Sequence, residues 1–230
     1  KGGLNEGYSV EASHMRYPLA QNVLNYRSGL LWFGGWFAAA LVGAYLLNPA
    51  IVFILIAAAI LEVIYCLLLK ITYLRTFVSG LVKASGPISA VFVVDRNPAP
   101  ASLLLLFAWI LFWEIGGQNI PADWNDTAED KLIGAKTIPI HFGTQKAGLI
   151  VLLSLTLTVI VSLFLPLLSP LALGLPFLAA SALAGCLLLL LPAWNLYQQH
   201  EGRLAAKLFD RASYYPMAQL AIVAVFILLS

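Results

Sequence analysis

Acidic and amide side chains cluster in one short stretch of the chain, between Asn119 and Asp130. Three of them, Asp123, Asp126 and Asp130, follow the spacing i, i+3 and i+7, which places them on one face of a helix. Three carboxylates on one face repel each other, and a hard cation such as Mg²⁺ would relieve that repulsion. Spacing alone leaves two equal alternatives, a metal site completed by a substrate phosphate and an ordinary solvated acidic loop.

The start of this stretch predicts an interruption of the helix. Pro121 has no backbone N–H, and its ring clashes with the preceding turn. Together with Gly116 and Gly117, it indicates that a helix ends and restarts here. Asn119 shares the face of the aspartates if the helix is continuous.

The rest of the chain is strongly apolar. Of its 230 residues, 61% are apolar and 10% are charged, whereas a soluble domain has roughly a quarter charged residues. This composition excludes a disordered chain and a soluble enzyme, and two cysteines exclude a disulfide scaffold. A net charge of +2 gives no reason to expect nucleic acid as a partner.

Seven stretches approach the ~20 apolar residues that a membrane-spanning helix needs. They predict an all-α, polytopic transmembrane helix bundle with a cytoplasmic loop at 1–27 and a single domain at 28–230. Cytoplasmic loops are predicted at 119–146, which contains the acidic motif, and at 194–212. The chain begins inside a polar segment without Met, and we expect an upstream part. The predicted spans are 28–47, 50–69, 74–94, 101–118, 147–168, 171–193 and 213–229.

Basic residues are distributed unevenly around these spans. If the N-terminus is cytoplasmic, 11 of the 13 Lys and Arg lie on the cytoplasmic side, Arg96 lies outside and Lys83 lies within a span. The positive-inside rule therefore predicts an integral protein of the inner or plasma membrane with its motif loops in the cytoplasm. The cytoplasmic set is Lys1, Arg16, Arg27, Lys70, Arg75, Lys131, Lys136, Lys146, Arg203, Lys207 and Arg211.

Two carboxylates and one ammonium group fall within the predicted spans, at Glu62, Glu114 and Lys83. A charge in a bilayer is costly, so such residues are candidates for function. Glu62 or Glu114 would then polarise an acceptor substrate, and the alternative is a protonated or paired structural carboxylate. The same three residues would also suit a transporter, although the sequence shows no internal repeat.

The acidic motif resembles the second aspartate-rich motif, D-x-x-D-x-x-x-D, of the UbiA superfamily of intramembrane aromatic prenyltransferases. The segment 131–143 continues the resemblance with a Gly, a Thr followed by a Pro, and a final Gly. The resemblance implies that the seven spans correspond to the third to ninth of a nine-span bundle.

The first aspartate-rich motif of that superfamily has only a degenerate counterpart here. Asn5-Glu6 stands where the family has Asn-Asp, Ser9 and Ser13 take two aspartate positions, and 16–19 resembles the segment that follows. Either the motif is degenerate in this chain, or its ligands lie upstream of Lys1. A non-catalytic relative that binds lipid therefore remains an alternative.

The resemblance implies Mg²⁺-dependent transfer of a prenyl group from an isoprenoid diphosphate to a lipophilic, aromatic acceptor within the membrane lipid. It also carries a tyrosine and lysine pair, matched here by Tyr65 and, one residue late, Lys70. Lys70 could instead be an ordinary interfacial lysine, and Trp124 an interfacial aromatic. The expected metal ligands are Asp123, Asp126, Asp130, Asn119 and Glu6. The expected diphosphate ligands are Lys70, Arg75, Lys131 and Lys136. The expected acceptor or carbocation pocket contains Glu62, Tyr65, Glu114 and Trp124.

Overall fold

A computed structural model describes residues 25–168 and 174–229 of the chain, and all regular structure in these residues is helical. It contains seven helical segments long and apolar enough to cross a membrane, which confirms the predicted all-α polytopic bundle. These segments are Tyr26–Leu47, Pro49–Lys70, Arg75–Val94, Pro100–Asn125, Ile138–Phe164, Leu175–Gln199 and Gly202–Leu228.

The described residues contain ten α-helices, of which nine build these segments and α6 lies between two of them. Two segments contain a π-helical turn, at Glu114–Asn119 between α4 and α5 and at Cys186–Leu190 between α8 and α9. The helices are α1 (Tyr26–Leu47), α2 (Pro49–Leu67), α3 (Arg75–Val94), α4 (Pro100–Trp113), α5 (Ile120–Asn125), α6 (Thr127–Ile133), α7 (Ile138–Phe164), α8 (Leu175–Gly185), α9 (Leu191–Gln199) and α10 (Gly202–Leu229).

The chain divides into two compact units. The first ends at Ile56, and its α1 begins where the side chain of Asn25 accepts a 2.7 Å hydrogen bond from the Ser28 N–H. The second begins at Ala57. In this second unit, α4 packs against α3 and α7, while α10 packs against α5, α8 and α9. The acidic motif, Tyr65, Leu69 and Arg75 all lie in the second unit.

Glycines let the helices of the second unit approach closely. A Cβ atom at Gly116 would lie 2.9 Å from the Cβ of Ser154, and one at Gly117 would lie 2.9 Å from the Cβ of Ala212. Small residues at such crossings allow the backbones to pack tightly in a bilayer, where water does not drive association. The motif span is therefore held between α7 and α10 at its two glycines.

The predicted polar loop at 194–212 is helical instead. In the structure α9 continues to Gln199, α10 starts at Gly202, and His200 ends α9 in the left-handed conformation at φ 57°. A helix of 28 residues is about 42 Å long, well beyond the ~30 Å hydrocarbon core. Its polar first turns therefore extend past the core, and hydropathy identified only the apolar part.

The predicted loop at 119–146 also contains helix, because the motif span and α7 both extend beyond their most apolar parts. The motif span continues to Asn125, α6 follows, and α7 begins at Ile138 rather than near 147. Two glycines with positive φ shape this region: Gly134 ends α6 at φ 72°, and Gly143 interrupts α7 at φ 78°. Both conformations are strained for residues that carry a Cβ atom.

Candidate active site

The motif span passes through its glycines and proline without breaking. The residues from Glu114 to Asn119 form a π-helical turn, in which the Ile120 N–H bonds the carbonyl of Ile115. Pro121 then occupies the first turn of α5, and its missing N–H removes a bond to the preceding turn, where the Gln118 side-chain amide donates to the Gly117 carbonyl at 3.1 Å. The predicted interruption is thus a local change of helix type, and π-turns of this kind are frequent at functional sites.

The three aspartates of the motif lie on two helices that meet at a corner. Asp123 is in α5, Asp126 occupies the corner with φ −91° and ψ 9°, and Asp130 is in α6. The Asp130 N–H donates to the Asp126 carbonyl at 2.9 Å, and the Thr127 hydroxyl donates to the Trp124 carbonyl at 2.8 Å. Asp123 is buried, Asp130 is half-buried and Asp126 is exposed.

A backbone bond ties the end of the motif to another span. The Lys136 N–H donates to the carbonyl of Leu69 at 2.8 Å, and the Ala135 N–H donates to the Asp130 carbonyl at 2.9 Å. Leu69 lies at the end of the span that carries Tyr65. This connection holds the two sides of the site together independently of side-chain charge.

A buried ion pair forms the centre of the site. Nη2 of Arg75 lies 2.6 Å from Oδ1 of Asp123, and each side chain is only 8% exposed. The Arg75 guanidinium also lies over the ring of Tyr65, with Cζ 4.6 Å from the ring centroid. The Tyr65 hydroxyl accepts a 3.1 Å hydrogen bond from Nδ2 of Asn119. Three spans thus bring four of the predicted site residues into one cluster: Tyr65, Arg75, Asn119 and Asp123.

Three oxygen atoms of this cluster and its surroundings are buried without a hydrogen-bond partner: Oδ2 of Asp123, Oδ1 of Asn119 and Oδ2 of Asp130. Buried carboxylate and amide oxygens left unpaired are costly, and they are the ligands that Mg²⁺ prefers. The residues therefore fit a hard cation. Within the described ranges, no three His, Cys, Asp or Glu side chains are close enough together to form a complete metal site.

The protonation of Asp130 reflects its surroundings. Partial burial raises the pKa of Asp130 above its ordinary value, while the charge of Arg75 lowers it. The carboxylates of Asp126 and Glu129 raise the pKa further, because each adds negative charge nearby. A cation at the motif would favour the ionised form of this carboxyl group.

The structure does not bring the predicted lysines into contact with the carboxylates. Lys70, Lys131 and Lys136 are all exposed, and none forms an ion pair with another described residue. Arg75 is the predicted diphosphate ligand that reaches the centre of the site. Lys131 and Lys136 lie next to the motif in the chain, and Lys70 follows Leu69, whose carbonyl accepts the Lys136 N–H.

Glu114 lies further from the end of the motif span than Asp123 does, nine residues earlier in the same span. Its carboxyl group is 3% exposed and accepts a 2.6 Å hydrogen bond from the Ser79 hydroxyl, while its Oε2 atom has no partner. Glu62 and Lys83 are exposed, and both lie near enough to act electrostatically on Glu114. Of the three charged residues predicted within the spans, Glu114 is therefore the one that is buried.

Trp124 and Gln118 help to hold the site in place. Trp124 is 5% exposed and belongs to the apolar core. The amide of Gln118 donates to the Ser213 hydroxyl at 3.2 Å and to the Phe209 carbonyl at 3.3 Å, which connects the π-turn to α10. Sequence reasoning missed Gln118, although a polar amide inside an apolar span was a usable signal. The predicted ligand Glu6 lies outside the described residues.

The fold and this site are those of an integral membrane protein with an acidic motif at one end of its helices. The model of the UbiA prenyltransferase family matches residues 9–223, so the chain belongs to that family. Members of the family are prenyltransferases that act on lipophilic acceptors. No curated protein and no solved structure matches the chain.

Proposed function

We propose that the protein catalyses Mg²⁺-dependent transfer of a prenyl group from an isoprenoid diphosphate to a lipophilic, aromatic acceptor in the membrane. One observation carries the proposal beyond family membership. A buried cation, Arg75, and unpartnered oxygens of Asp123 and Asn119 meet at the end of apolar spans. A ligand with an anionic head and an apolar tail matches this arrangement.

Asp123 and Asn119 would hold the metal, with Asp130 and Asp126 joining from α6 and the corner. Bound Mg²⁺ would neutralise the diphosphate and make it a better leaving group. The residues supply fewer ligands than a closed metal site needs, which suits a cation that takes the rest of its shell from phosphate and water.

Arg75 and the exposed lysines Lys70, Lys131 and Lys136 would bind the diphosphate oxygens. The bond between the first prenyl carbon and the diphosphate oxygen breaks, and the electron pair leaves with the diphosphate. Preorganised cations stabilise that developing charge. The ring of Tyr65, beneath Arg75, would offer its face to the allylic cation once the guanidinium has turned to the diphosphate.

Glu114 would position the acceptor. Its unpartnered Oε2 atom can accept a hydrogen bond from an acceptor hydroxyl, which makes an aromatic ring more nucleophilic. Ser79 fixes the orientation of the carboxyl group. The ring carbon attacks the first prenyl carbon and then loses its proton to the released diphosphate, so atoms and charges balance.

The same residues support a proposal for the sidedness of the protein. Lys70, Arg75, Lys131, Lys136 and Arg203 lie near the ends of spans at the motif side, whereas Arg96 lies at the opposite ends. We propose that the motif side is cytoplasmic in an inner or plasma membrane, as the positive-inside rule indicates.

A non-catalytic relative is the second candidate, and one observation favours it. The Arg75 guanidinium binds Oδ1 of Asp123, where a metal ion would also bind. It therefore compensates the charge of the Asp123 carboxylate without a metal ion. Such a protein would bind a lipid without transferring a prenyl group.

The full chain in lipid nanodiscs tests both candidates. With geranylgeranyl diphosphate labelled at the first carbon and extracted membrane lipids as acceptors, we expect label in a new lipophilic product with Mg²⁺ and none with EDTA. Asp123→Asn and Asp130→Asn should abolish the product, while Glu129→Gln, on the same helix as Asp130, should keep it. Label that stays in the diphosphate under all conditions would favour the non-catalytic relative.

Binding of Mn²⁺ alone, followed by electron paramagnetic resonance, gives a second readout that does not depend on turnover. We expect wild-type protein and Glu129→Gln to bind Mn²⁺ and Asp123→Asn to bind it at least tenfold more weakly. Equal affinity in all three proteins would show that the metal assignment is wrong.

A further inference from the structure

A groove of about 310 Å³ lies in the second unit, between the start of α3 and the first part of α7. Phe112 and Ile115 of the motif span lie between these two helices and line the groove, since α3 and α7 both pack against that span. Leu74 and Phe77 also line it and are 55% and 54% exposed. The groove is therefore open to the surroundings of the bundle.

The groove lies on the side of α3 that faces away from the proposed diphosphate site. Arg75 faces Asp123, and Phe77 follows Arg75 by two residues, which rotates it about 200° around the helix axis. Ser79, which binds Glu114, follows Arg75 by four residues and shares the face of Arg75. Because the Arg75 face meets other spans, the opposite face, with the groove, meets lipid.

The wall of the groove is apolar except for the hydroxyl groups of Tyr73, Thr76 and Ser154. No charged side chain lines it, and the acidic residues of the motif are absent from its wall. A narrow apolar groove that opens to lipid suits a hydrocarbon chain.

One cation stands at the end of the groove nearest the acidic motif. Lys146 precedes Ile150 and Ser154 by four and eight residues, and both of these line the groove, so the three share one face of α7. Lys146 is exposed and forms no ion pair with another described residue. It is also the only charged residue of α7. The potential at this end of the groove is therefore positive.

Two stacked rings add hydrogen-bond donors at the same end. Tyr73 lines the groove, and His141 precedes Phe142, which also lines it. The rings of Tyr73 and His141 lie 4.5 Å apart between centroids, and His141 is exposed. A phenol and an imidazole can each donate a hydrogen bond to a phosphate oxygen.

The depth of the groove corresponds to one leaflet of a bilayer. Ser154 lies eight residues after Lys146, which is about 12 Å along α7. Half of the ~30 Å hydrocarbon core is about 15 Å. A lipid with its phosphate at Lys146 would therefore place most of one acyl chain alongside the groove.

We propose that this groove binds one acyl chain of an anionic phospholipid, whose phosphate lies at Lys146. A zwitterionic phospholipid fits the same apolar wall, but its head group brings a second cation close to Lys146. An anionic head group brings none, so the charge at the end of the groove selects it. The proposal goes beyond the proposed function and depends neither on a metal ion nor on prenyl transfer.

Photoactivatable lipids test the groove in the full chain. The protein is placed in phosphatidylcholine nanodiscs with a small fraction of phosphatidylglycerol that carries a diazirine in one acyl chain, and labelled peptides are mapped by mass spectrometry. The comparison probe is phosphatidylcholine with the same chain. We expect the anionic probe to label α3, α7 and the segment around Phe112 about fivefold more than the comparison probe does. Equal labelling by the two probes, or labels spread evenly over all lipid-facing helices, would overturn the proposal.

Two variants separate the head group from the chain. Lys146→Gln should remove the preference for the anionic probe, whereas Lys207→Gln, which removes an exposed lysine on α10 away from the groove, should keep it. Ile150→Trp should fill the groove and reduce its labelling by both probes. Leu149→Trp is the control, because Leu149 is 43% exposed and does not line the groove. A preference that survives Lys146→Gln, or labelling unchanged by Ile150→Trp, would contradict the proposal.

Stability in detergent gives a readout without cross-linking. A lipid that binds only the folded protein raises the unfolding midpoint. We expect added phosphatidylglycerol to raise the midpoint of the wild type more than phosphatidylcholine does, and high salt to reduce the difference because it screens an exposed lysine. Lys146→Gln should respond alike to both lipids. An equal response of the wild type to both lipids would show that the groove does not select an anionic head group.

Discussion

Arg75 and Asp123 form a 2.6 Å ion pair in which both side chains are 8% exposed, although 48 residues separate them in the chain. Two charges removed from water are stable only when paired with good geometry. The pair fixes the start of α3 against the end of the motif span. It also leaves Oδ2 of Asp123 free of hydrogen bonds, so a cation can bind without first displacing Arg75.

Removing Arg75 should destabilise the metal-free protein strongly. Arg75→Gln leaves the Asp123 carboxylate buried without its partner, a change that typically costs about 3 to 5 kcal/mol. We expect a lower thermal unfolding midpoint in detergent, recovered in part by Mg²⁺. Arg203→Gln is the control, because its pair with Glu201 spans 3.8 Å with side chains 78% and 52% exposed. Its effect should be close to zero, and equal midpoints for the two variants would contradict the structural role of Arg75.

The raised pKa of Asp130 predicts a pH dependence of stability. Because the folded-state pKa lies above the unfolded value, the folded protein holds the proton more tightly, and its stability falls as pH rises between the two values. With EDTA present, the unfolding midpoint should decrease over that acidic window in wild type, and the decrease should be smaller in Asp130→Asn. A midpoint that rises over this window equally in both proteins would exclude an effect of Asp130.

Adding Mg²⁺ to the same titration should reverse the trend. A cation near Asp130 stabilises the ionised carboxylate, so Mg²⁺ should raise the midpoint more at high pH than at low pH. Asp130→Asn should lose most of this pH dependence. An equal gain at all pH values would indicate that the metal binds elsewhere.

The sequence predicted the parts of the site that local spacing defines and missed the contacts between distant segments. The motif at Asp123, Asp126 and Asp130 is visible because its members lie within eight residues. The partner of Asp123 is not, because an arginine at a span boundary is equally expected at the lipid interface. The π-turn at Glu114–Asn119 was predicted as a break, since glycine and proline signal disrupted α-helix without specifying what replaces it.

The hydrogen bond between Ser79 and Glu114 predicts that its loss changes KM for the acceptor and leaves KM for the diphosphate unchanged. Ser79→Ala removes a 2.6 Å hydrogen bond to Glu114 and frees the carboxyl group to rotate. If Glu114 positions the acceptor, KM for the acceptor should rise several-fold while KM for the diphosphate stays unchanged. Ser85→Ala is the control on the same helix, because the Ser85 hydroxyl bonds only its own helix, at the Val82 carbonyl. A rise in both KM values would indicate a general structural effect.

The glycines of the motif span predict a packing effect that is independent of charge. A Cβ atom at Gly116 would lie 2.9 Å from Cβ of Ser154 and 3.0 Å from the Val151 carbonyl oxygen, and backbone cannot yield as a flexible side chain can. Gly116→Ala should therefore push the motif span away from α7 and lower the unfolding midpoint, by an amount typical of overpacked cores, about 1 to 3 kcal/mol. It should also weaken Mn²⁺ binding, because the π-turn aims Asn119 and Asp123 at the site.

Gly43→Ala is the matched control, since Gly43 lies inside α1 with no atom within 4 Å of an added Cβ. There the same substitution should be neutral or stabilising by up to about 1 kcal/mol, because alanine favours helix over glycine. If Gly116→Ala and Gly43→Ala changed the midpoint alike, the close contact between the π-turn and α7 could not be what holds the acidic motif in position.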